Sequence, residues 1–193
     1  MNAPSSRRLM QTRQIVCEGF ERSDGLYDVE ATMTDSKPYA VSVGDRELIA
    51  QGEPFHQMRL RFAVDTTFVI HEAEAQTYHA PYKACPDICH SYDQLIGLKL
   101  GPGFQKQVRA RLGGTAGCTH LTELLVPMVT TAMQTVWHVA DQLEKPRSQR
   151  KFGPDQSGSP SEINGCHALR ADGETVRIHY PRVRKGADDG PAL

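Results

Sequence analysis

Two stretches near the N-terminus are predicted to be strands joined by a tight turn, and the second of them alternates apolar and polar residues. This pattern constrains the fold most strongly. Residues 13–22 and 26–34 are joined by Ser23-Asp24-Gly25, where glycine supplies the positive φ that a tight hairpin needs. A second hairpin is predicted over residues 59–75, where residues 59–64 alternate, residues 65–67 form the turn and residues 68–75 form the returning strand. Alternation with a period of two is typical of a half-buried strand. The sequence therefore predicts two hairpins in an antiparallel sheet.

After residue 85 the apolar periodicity becomes helical. Helices are predicted from Pro86 to Gly97, from Gly101 to Gly113-Gly114, and from Thr119 to about Leu143. A last hairpin is predicted around Asp172-Gly173, from residues 166–170 and 175–180. The predicted fold class is α+β, with an antiparallel sheet built from two N-terminal hairpins and one C-terminal hairpin, packed against three helices.

The length of 193 residues predicts one ordinary domain. We expect this single α+β domain to span residues 13–181. Residues 144–162 are charged and rich in Pro, Gly and Ser, and they predict a flexible insertion. Residues 1–12 and 182–193 are predicted to be disordered.

Charge and hydropathy exclude several classes of partner. The formal net charge is -1, with 22 basic and 23 acidic residues, so nothing draws the chain toward polyanions and no nucleic-acid partner is expected. The most hydrophobic stretch, residues 121–140, is interrupted by polar side chains, which argues against a membrane span. The expected partners are a small-molecule substrate or a partner protein.

Cysteine usage and the polar N-terminus predict a cytoplasmic location. The N-terminal residues lack the apolar segment of an export signal, and five cysteines cannot all pair with one another. In a reducing compartment the thiols are expected to stay free. They are then available for chemistry or for a metal.

The segment Gly117-Cys118-Thr119-His120-Leu121-Thr122-Glu123 carries the clearest chemical signal. Cys118 stands at the start of the third predicted helix, where unpaired N–H groups and the helix dipole favour an anion. His120 and Glu123 are three residues apart and share a helical face, so all three side chains can point into one pocket. The alternative interpretation is a small buried cysteine beside a satisfied surface histidine.

Other potential ligands are scattered along the chain. Cys166 and His167 are adjacent in a predicted strand, so only one of the pair would face a given site. Cys85 begins a helical segment, where it can equally be core, and His56 precedes a predicted strand. Sulfur and nitrogen donors favour zinc or iron over calcium or magnesium, and both a closed structural site and an open catalytic site remain possible. In an open site Glu123 would act as general base toward a metal-activated water.

The motif at residues 117–124 resembles the bacterial family known as domain of unknown function 2889. The likeness continues in residues 24–30 (DGLYDVE), 52–58 (GEPFHQM), 95–98 (LIGL) with 101–103 (GPG), and 165–168 (GCHA). It covers nearly the whole chain outside the tails and the predicted insertion. The resemblance implies no established activity. It points to His56, Cys85, Cys118, His120, Glu123, Cys166 and His167, whereas Cys89 and His90 do not belong to the pattern.

The order of the predicted elements is also similar to the iron–sulfur scaffold domain of the NifU and IscU type. That resemblance would place Cys85 and Cys118 near two of the scaffold's thiolate ligands. The scaffold's later cysteine lies in a helix, whereas Cys166 is predicted in a strand. Likeness at this level says little about activity.

Three functions follow from these observations. The first is a metal-binding protein that holds zinc or iron through Cys118, His120, Cys166, His167 and Cys85. In one version of this function it is a metal-dependent enzyme acting on a small molecule, with Glu123 and His56 as catalytic residues. The second is an iron–sulfur or sulfur-handling scaffold that carries a cluster. The third is a structural interaction domain in which these residues are only packed.

Overall fold

A computed structural model describes residues 5–136 and 163–179. The chain divides into two units, Met1–Trp137 and His138–Leu193. The first unit combines strands with helices, which confirms the predicted α+β class. The single domain over residues 13–181 stays a prediction, and the predicted insertion at 144–162 and the predicted tail at 182–193 lie outside the described residues.

Six strands are described in the first unit: β1 (Thr12–Glu21), β2 (Tyr27–Ser36), β3 (Val41–Val43), β4 (Arg46–Ile49), β5 (Pro54–Val64) and β6 (Ile70–His79). The main sheet has the order β1-β2-β5-β6, and every neighbouring pair is antiparallel. Both predicted N-terminal hairpins are therefore confirmed, as β1–β2 and β5–β6. The pairing of β2 with β5 joins them into one sheet, and β3 and β4 form a small separate sheet in the connection.

Helical segments follow the sheet, as predicted. They are a 3-10 helix over Cys85–Leu95, α1 (Phe104–Leu112), a 3-10 turn over Gly114–Ala116, and α2 (Thr119–Val136). The first of the three predicted helices is thus a 3-10 helix with Pro86 in its first turn. The third continues through Pro127 to the last described residue of the first unit.

The core lies between one face of the main sheet and the helical segments. Alternate residues of the central strands are fully or almost fully buried: Tyr27, Val29, Ala31 and Met33 of β2, and Met58, Leu60 and Phe62 of β5. Helix α2 packs across β1, β2 and β5 through the buried stripe Leu121, Leu124, Leu125, Met128, Ala132 and Val136, as its periodicity predicts. Each large side chain buried here contributes about 1.5–3 kcal/mol. We call this buried side the inner face of the sheet.

Gly19 permits the close approach of α2 to the edge strand β1. A Cβ atom at this position would lie 1.9 Å from Oγ1 of Thr135 and 2.9 Å from its Cβ. Only a residue without a side chain fits such a contact. The C-terminal half of α2 is thereby held against β1.

The opposite face of the sheet carries ion pairs. Arg59 donates to Glu30 at 2.6 Å, and Arg61 contacts both Asp28 and Glu72. These partners lie on neighbouring strands, as cross-strand pairs do. This face is a charged outer surface. The candidate site lies on the inner face.

The second unit contains a 3-10 turn at His167–Leu169 and a six-residue helix, α3 (Glu174–His179). The predicted C-terminal hairpin, with strands at residues 166–170 and 175–180, is therefore wrong. Asp172-Gly173 leads into α3 instead, and the Gly173 N–H donates to the carbonyl of Arg170. Alternation over so few residues does not fix a strand without a partner strand to pair with.

Within the part of the chain that the structure describes, no helix has both the length and the apolarity needed to cross a bilayer.

Candidate metal centre

Three neighbouring strands place one polar residue each in a single row on the inner face. Arg13 of β1 is the register partner of Asp35 of β2, and Asp35 is the register partner of His56 of β5. Residues opposite one another in an antiparallel sheet point to the same side. Met33 of β2 and Met58 of β5 are register partners two residues further along the same face. The inner face is therefore apolar in the core and polar at the end that carries Arg13, Asp35 and His56.

Asp35 is the centre of this row, and its side chain is 0 % exposed. Its Oδ1 accepts a hydrogen bond from Nε of Arg13, and its Oδ2 accepts one from Nη2, both at 2.8 Å. Nδ1 of His56 lies 3.0 Å from the same Oδ2. A buried carboxylate is stable when charged groups and hydrogen bonds satisfy it, and here both oxygens are engaged.

The charge of Asp35 follows from these contacts. Burial alone would favour the neutral acid, but the hydrogen bonds and the positive charge of Arg13, assisted by His56, outweigh it and hold the pKa of Asp35 below its ordinary value. Asp35 is thus a carboxylate at neutral pH. An ionised carboxylate only accepts hydrogen bonds.

The tautomer of His56 is set by Asp35. Because the carboxylate only accepts, Nδ1 of His56 carries the proton and donates it, which leaves the lone pair of the neutral ring on Nε2. The side chain is 12 % exposed, and burial, followed by the nearby ring of His120, lowers the pKa of His56 below its usual value. A neutral imidazole oriented by a buried carboxylate is the arrangement typical of metal-binding histidines.

His120 completes the group from the other side of the core. It lies in the first turn of α2, and its ring centroid is 4.0 Å from that of His56. One potential ligand atom from each of Asp35, His56 and His120 lies within 4.8 Å of the other two. Within residues 5–136 and 163–179, these three form the group of His, Cys, Asp and Glu side chains that converges closely enough to hold an ion.

Cys118 lies beside this group, immediately before α2. Its Sγ is 4.0 Å from Nδ1 of His120, and the residue is half-buried. The thiol is therefore a further potential ligand or proton partner at the edge of the centre.

Tyr92 fixes the start of α2 and with it Cys118. Its buried hydroxyl donates to the carbonyl of Cys118 at 2.8 Å and accepts from the Cys118 N–H at 3.1 Å, and it also pairs with the hydroxyl of Thr122 at 2.8 Å. Burial raises the pKa of Tyr92, so the hydroxyl keeps its proton. The first turn of α2, which carries His120, is held in place by this side chain of the 3-10 helix.

Glu123 joins the centre through Arg13. Oε2 of Glu123 accepts a hydrogen bond from Nη1 of Arg13 at 2.7 Å, while the other nitrogens of the guanidinium hold Asp35. The side chain of Glu123 is 50 % exposed. Glu123 therefore stands at the rim of the site, and Arg13 links it to the buried carboxylate.

The predicted site residues of the first unit are brought together only in part. His56, Cys118, His120 and Glu123 cluster at one end of the inner face, although they come from β5, α2 and the residue before α2. Cys85 is half-buried at the start of the 3-10 helix and is not part of the converging group. Its role as a ligand stays a prediction.

Cys166 and His167 belong to the second unit. Both are exposed, and Cys166 precedes the 3-10 turn that His167 begins. Strand geometry does not turn only one of them toward a site, because neither lies in a strand. Their role as metal ligands also stays a prediction.

Asp35 and Arg13 are absent from the residues predicted from sequence. The signal for Asp35 is present, because it continues the odd-numbered buried series of β2, but the predicted strand ended at residue 34. The only feature that identifies Arg13 is its position opposite Asp35 in the pairing of β1 with β2. The register of the hairpin reveals this pairing, whereas no local sequence motif does.

Comparison with known proteins identifies a family and no function. A family model described as "Protein of unknown function (DUF2889)" matches residues 11–134. No curated protein and no solved structure matches the chain. The match covers every residue of the centre in the first unit, and the comparisons do not show the likeness to iron–sulfur scaffolds.

Proposed function

The chain belongs to the DUF2889 family, and from that premise we propose that it binds one zinc or iron ion through His56, His120 and Cys118. The observation that carries the proposal is the convergence of Asp35, His56 and His120, with ligand atoms within 4.8 Å of one another. Bonds of about 2.0–2.3 Å place the ligand atoms of a tetrahedral zinc about 3.3–3.8 Å apart. The spacing of the His56 and His120 ligand atoms is close to this range, and the Cys118 thiol lies beside them, with its Sγ 4.0 Å from Nδ1 of His120.

Asp35 is better suited to orient His56 than to bind the ion. Three hydrogen bonds already occupy its two oxygens. In metal sites, a carboxylate that accepts from the distal nitrogen of a histidine fixes the ring and strengthens the ligand. His56 Nε2, a ring nitrogen of His120 and the thiolate of Cys118 then provide three ligands from the first unit, which leaves one position for a further ligand.

The nature of the donors favours a single ion over an iron–sulfur cluster. Clusters are held mainly by thiolates, and among the described residues of the first unit Cys118 is the cysteine that contacts this group. Nitrogen donors with one sulfur suit zinc or a mononuclear iron. Anaerobically purified protein should accordingly contain no acid-labile sulfide.

An enzymatic role would use Glu123 as the proton acceptor. Its Oε2 is held by Arg13 at 2.7 Å, and the carboxylate is half-exposed. A bound ion would supply Lewis acidity toward a substrate. Glu123 would take and return a proton, while Arg13 keeps the carboxylate oriented.

The proposal is tested by metal analysis of tag-free protein. Elemental analysis of the purified chain and titration of the metal-free chain with Zn²⁺ should give one ion per chain at micromolar affinity or tighter. His56→Ala and His120→Ala should each lose the ion. His71→Ala is the matched control, because His71 pairs with Asp65 on an exposed turn and should bind metal as the wild type does.

Titration with Co²⁺ tests the thiol separately. A cobalt–thiolate charge-transfer band should appear with the wild type and disappear in Cys118→Ser. Cys89→Ser is the control and should retain the band, because Cys89 is a half-buried cysteine that is hydrogen-bonded to Thr77. A chain that takes up neither ion, or a His56→Ala/His120→Ala double variant that binds like the wild type, would falsify the proposed function.

A further inference from the structure

A groove runs between α1 and the N-terminal half of α2. Its volume is about 320 Å³, which lies within the range of small-molecule sites. Val108 and Leu112 of α1 form a buried apolar floor, and the exposed Val126 of α2 forms part of the wall. The groove can therefore cover the apolar body of a small ligand.

Two charged side chains line this groove, Arg109 and Glu123. The carboxylate of Glu123 is already paired with Arg13 at 2.7 Å. Arg109 is exposed and makes no ion pair or side-chain hydrogen bond within the described part of the chain. The groove thus offers one uncompensated positive charge above an apolar floor, which complements a ligand with a single anionic group.

Glu123 connects the groove to the candidate metal centre. It lines the groove and also accepts the hydrogen bond of Arg13, whose guanidinium holds Asp35. His120 lies three residues before Glu123, on the adjoining side of the same helical turn. A ligand in the groove would therefore lie next to Glu123, at the rim of the centre.

We propose that this groove binds a small organic anion, with its carboxylate at Arg109 and its apolar body over Val108 and Leu112. The role of such a molecule as the substrate of the metal centre rests on the proposed function. The anion site itself rests on the residues of the groove alone.

The test is a methyl NMR titration of the full, zinc-loaded chain with acetate, hexanoate and phenylacetate as probes. At least one of the two larger acids should shift the methyl signals of Val108, Leu112 and Val126 saturably, and its neutral amide should bind about fivefold more weakly. Arg109→Gln should lower the affinity for the acid to that of the amide. Lys106→Gln is the matched control, since Lys106 is exposed on the same helix but does not line the groove.

His120→Ala separates this proposal from the metal site. The variant should lose zinc yet still bind the acid at Arg109. If acid binding disappears together with zinc, the acid is a ligand of the ion, and the groove proposal is overturned. The same holds if no probe binds saturably or if Arg109→Gln binds as the wild type does. If the wild type takes up no zinc but still binds the acid, the proposed metal site is overturned and the groove proposal stands.

Discussion

Arg13 and Asp35 face each other across β1 and β2, and the guanidinium donates one hydrogen bond to each oxygen of the buried carboxylate at 2.8 Å. The same guanidinium reaches Glu123 at the rim of the site. One side chain from an edge strand thus organises both a buried and an exposed carboxylate, and Asp35 in turn orients His56.

Asp35→Asn should lower the affinity for Zn²⁺ by about 10- to 100-fold, the usual effect of removing an outer carboxylate partner. The asparagine amide that replaces the carboxylate is neutral, so His56 and Arg13 lose their negatively charged partner. Chelator competition measures the change. Asp28→Asn is the control, because Asp28 lies on the opposite face of β2 and pairs with Arg61; an unchanged affinity in Asp35→Asn would show that the carboxylate does not serve the site.

Tyr92→Phe should destabilise the fold by about 1–3 kcal/mol, because the backbone N–H of Cys118 and the hydroxyl of Thr122 lose their buried partner. Loosening of the first turn of α2 should also weaken metal binding. Urea unfolding and zinc titration measure the two effects. Tyr78→Phe, at an exposed tyrosine that donates to Gln76, should change neither; a fully stable Tyr92→Phe would refute the supporting role.

Gly19→Ala should destabilise the first unit by about 1–3 kcal/mol, because the added methyl group meets Thr135 of α2 at 1.9 Å and overpacks the contact. Thermal unfolding measures the loss. Glu18→Ala, at the neighbouring position on the other face of β1, is the control and should cost much less. Equal melting temperatures of the two variants would contradict the close approach of α2 to β1.

The turn between β5 and β6 should lose stability in acid. Burial disfavours the charge of Asp65, but hydrogen bonds from His71, Thr67 and the Val69 N–H outweigh it and hold the pKa of Asp65 well below its ordinary value of 3.8. A carboxyl whose pKa is lower in the folded than in the unfolded state stabilises the fold above its unfolded pKa. That contribution is lost as the pH falls through the folded pKa.

Asp65→Ala should therefore be less stable than the wild type at pH 7, by about 1 kcal/mol. The difference should shrink as the pH falls below about 4, because the Asp65 carboxyl of the unfolded wild type then takes up a proton, which favours the unfolded state. Urea unfolding at several pH values measures it. A difference that stays constant down to pH 2 would mean that the charge of Asp65 makes no contribution.

Much of the candidate site was accessible from sequence, and the missing part has a definite cause. Cys118, His120 and Glu123 belong to one local motif at a helix start, so spacing alone predicts that they share a pocket. His56 is a candidate because it precedes a predicted strand and because the family resemblance includes it, but nothing in its local sequence links it to that motif. Asp35 is not predicted because the predicted strand ends at residue 34, two residues before the end of β2, although Asp35 continues the buried series of that strand.

The sequence by itself determined the elements of the first unit that depend on near neighbours: both N-terminal hairpins, the positions of the helical segments and the buried stripe of α2. It did not determine the C-terminal segment, where too few residues alternate to distinguish strand from helix. Tertiary structure alone decided that β2 pairs with β5, and this pairing puts Arg13, Asp35 and His56 in one row beneath His120. Period-two and helical patterns identify which face of an element is buried, but contacts between distant segments decide which buried faces meet.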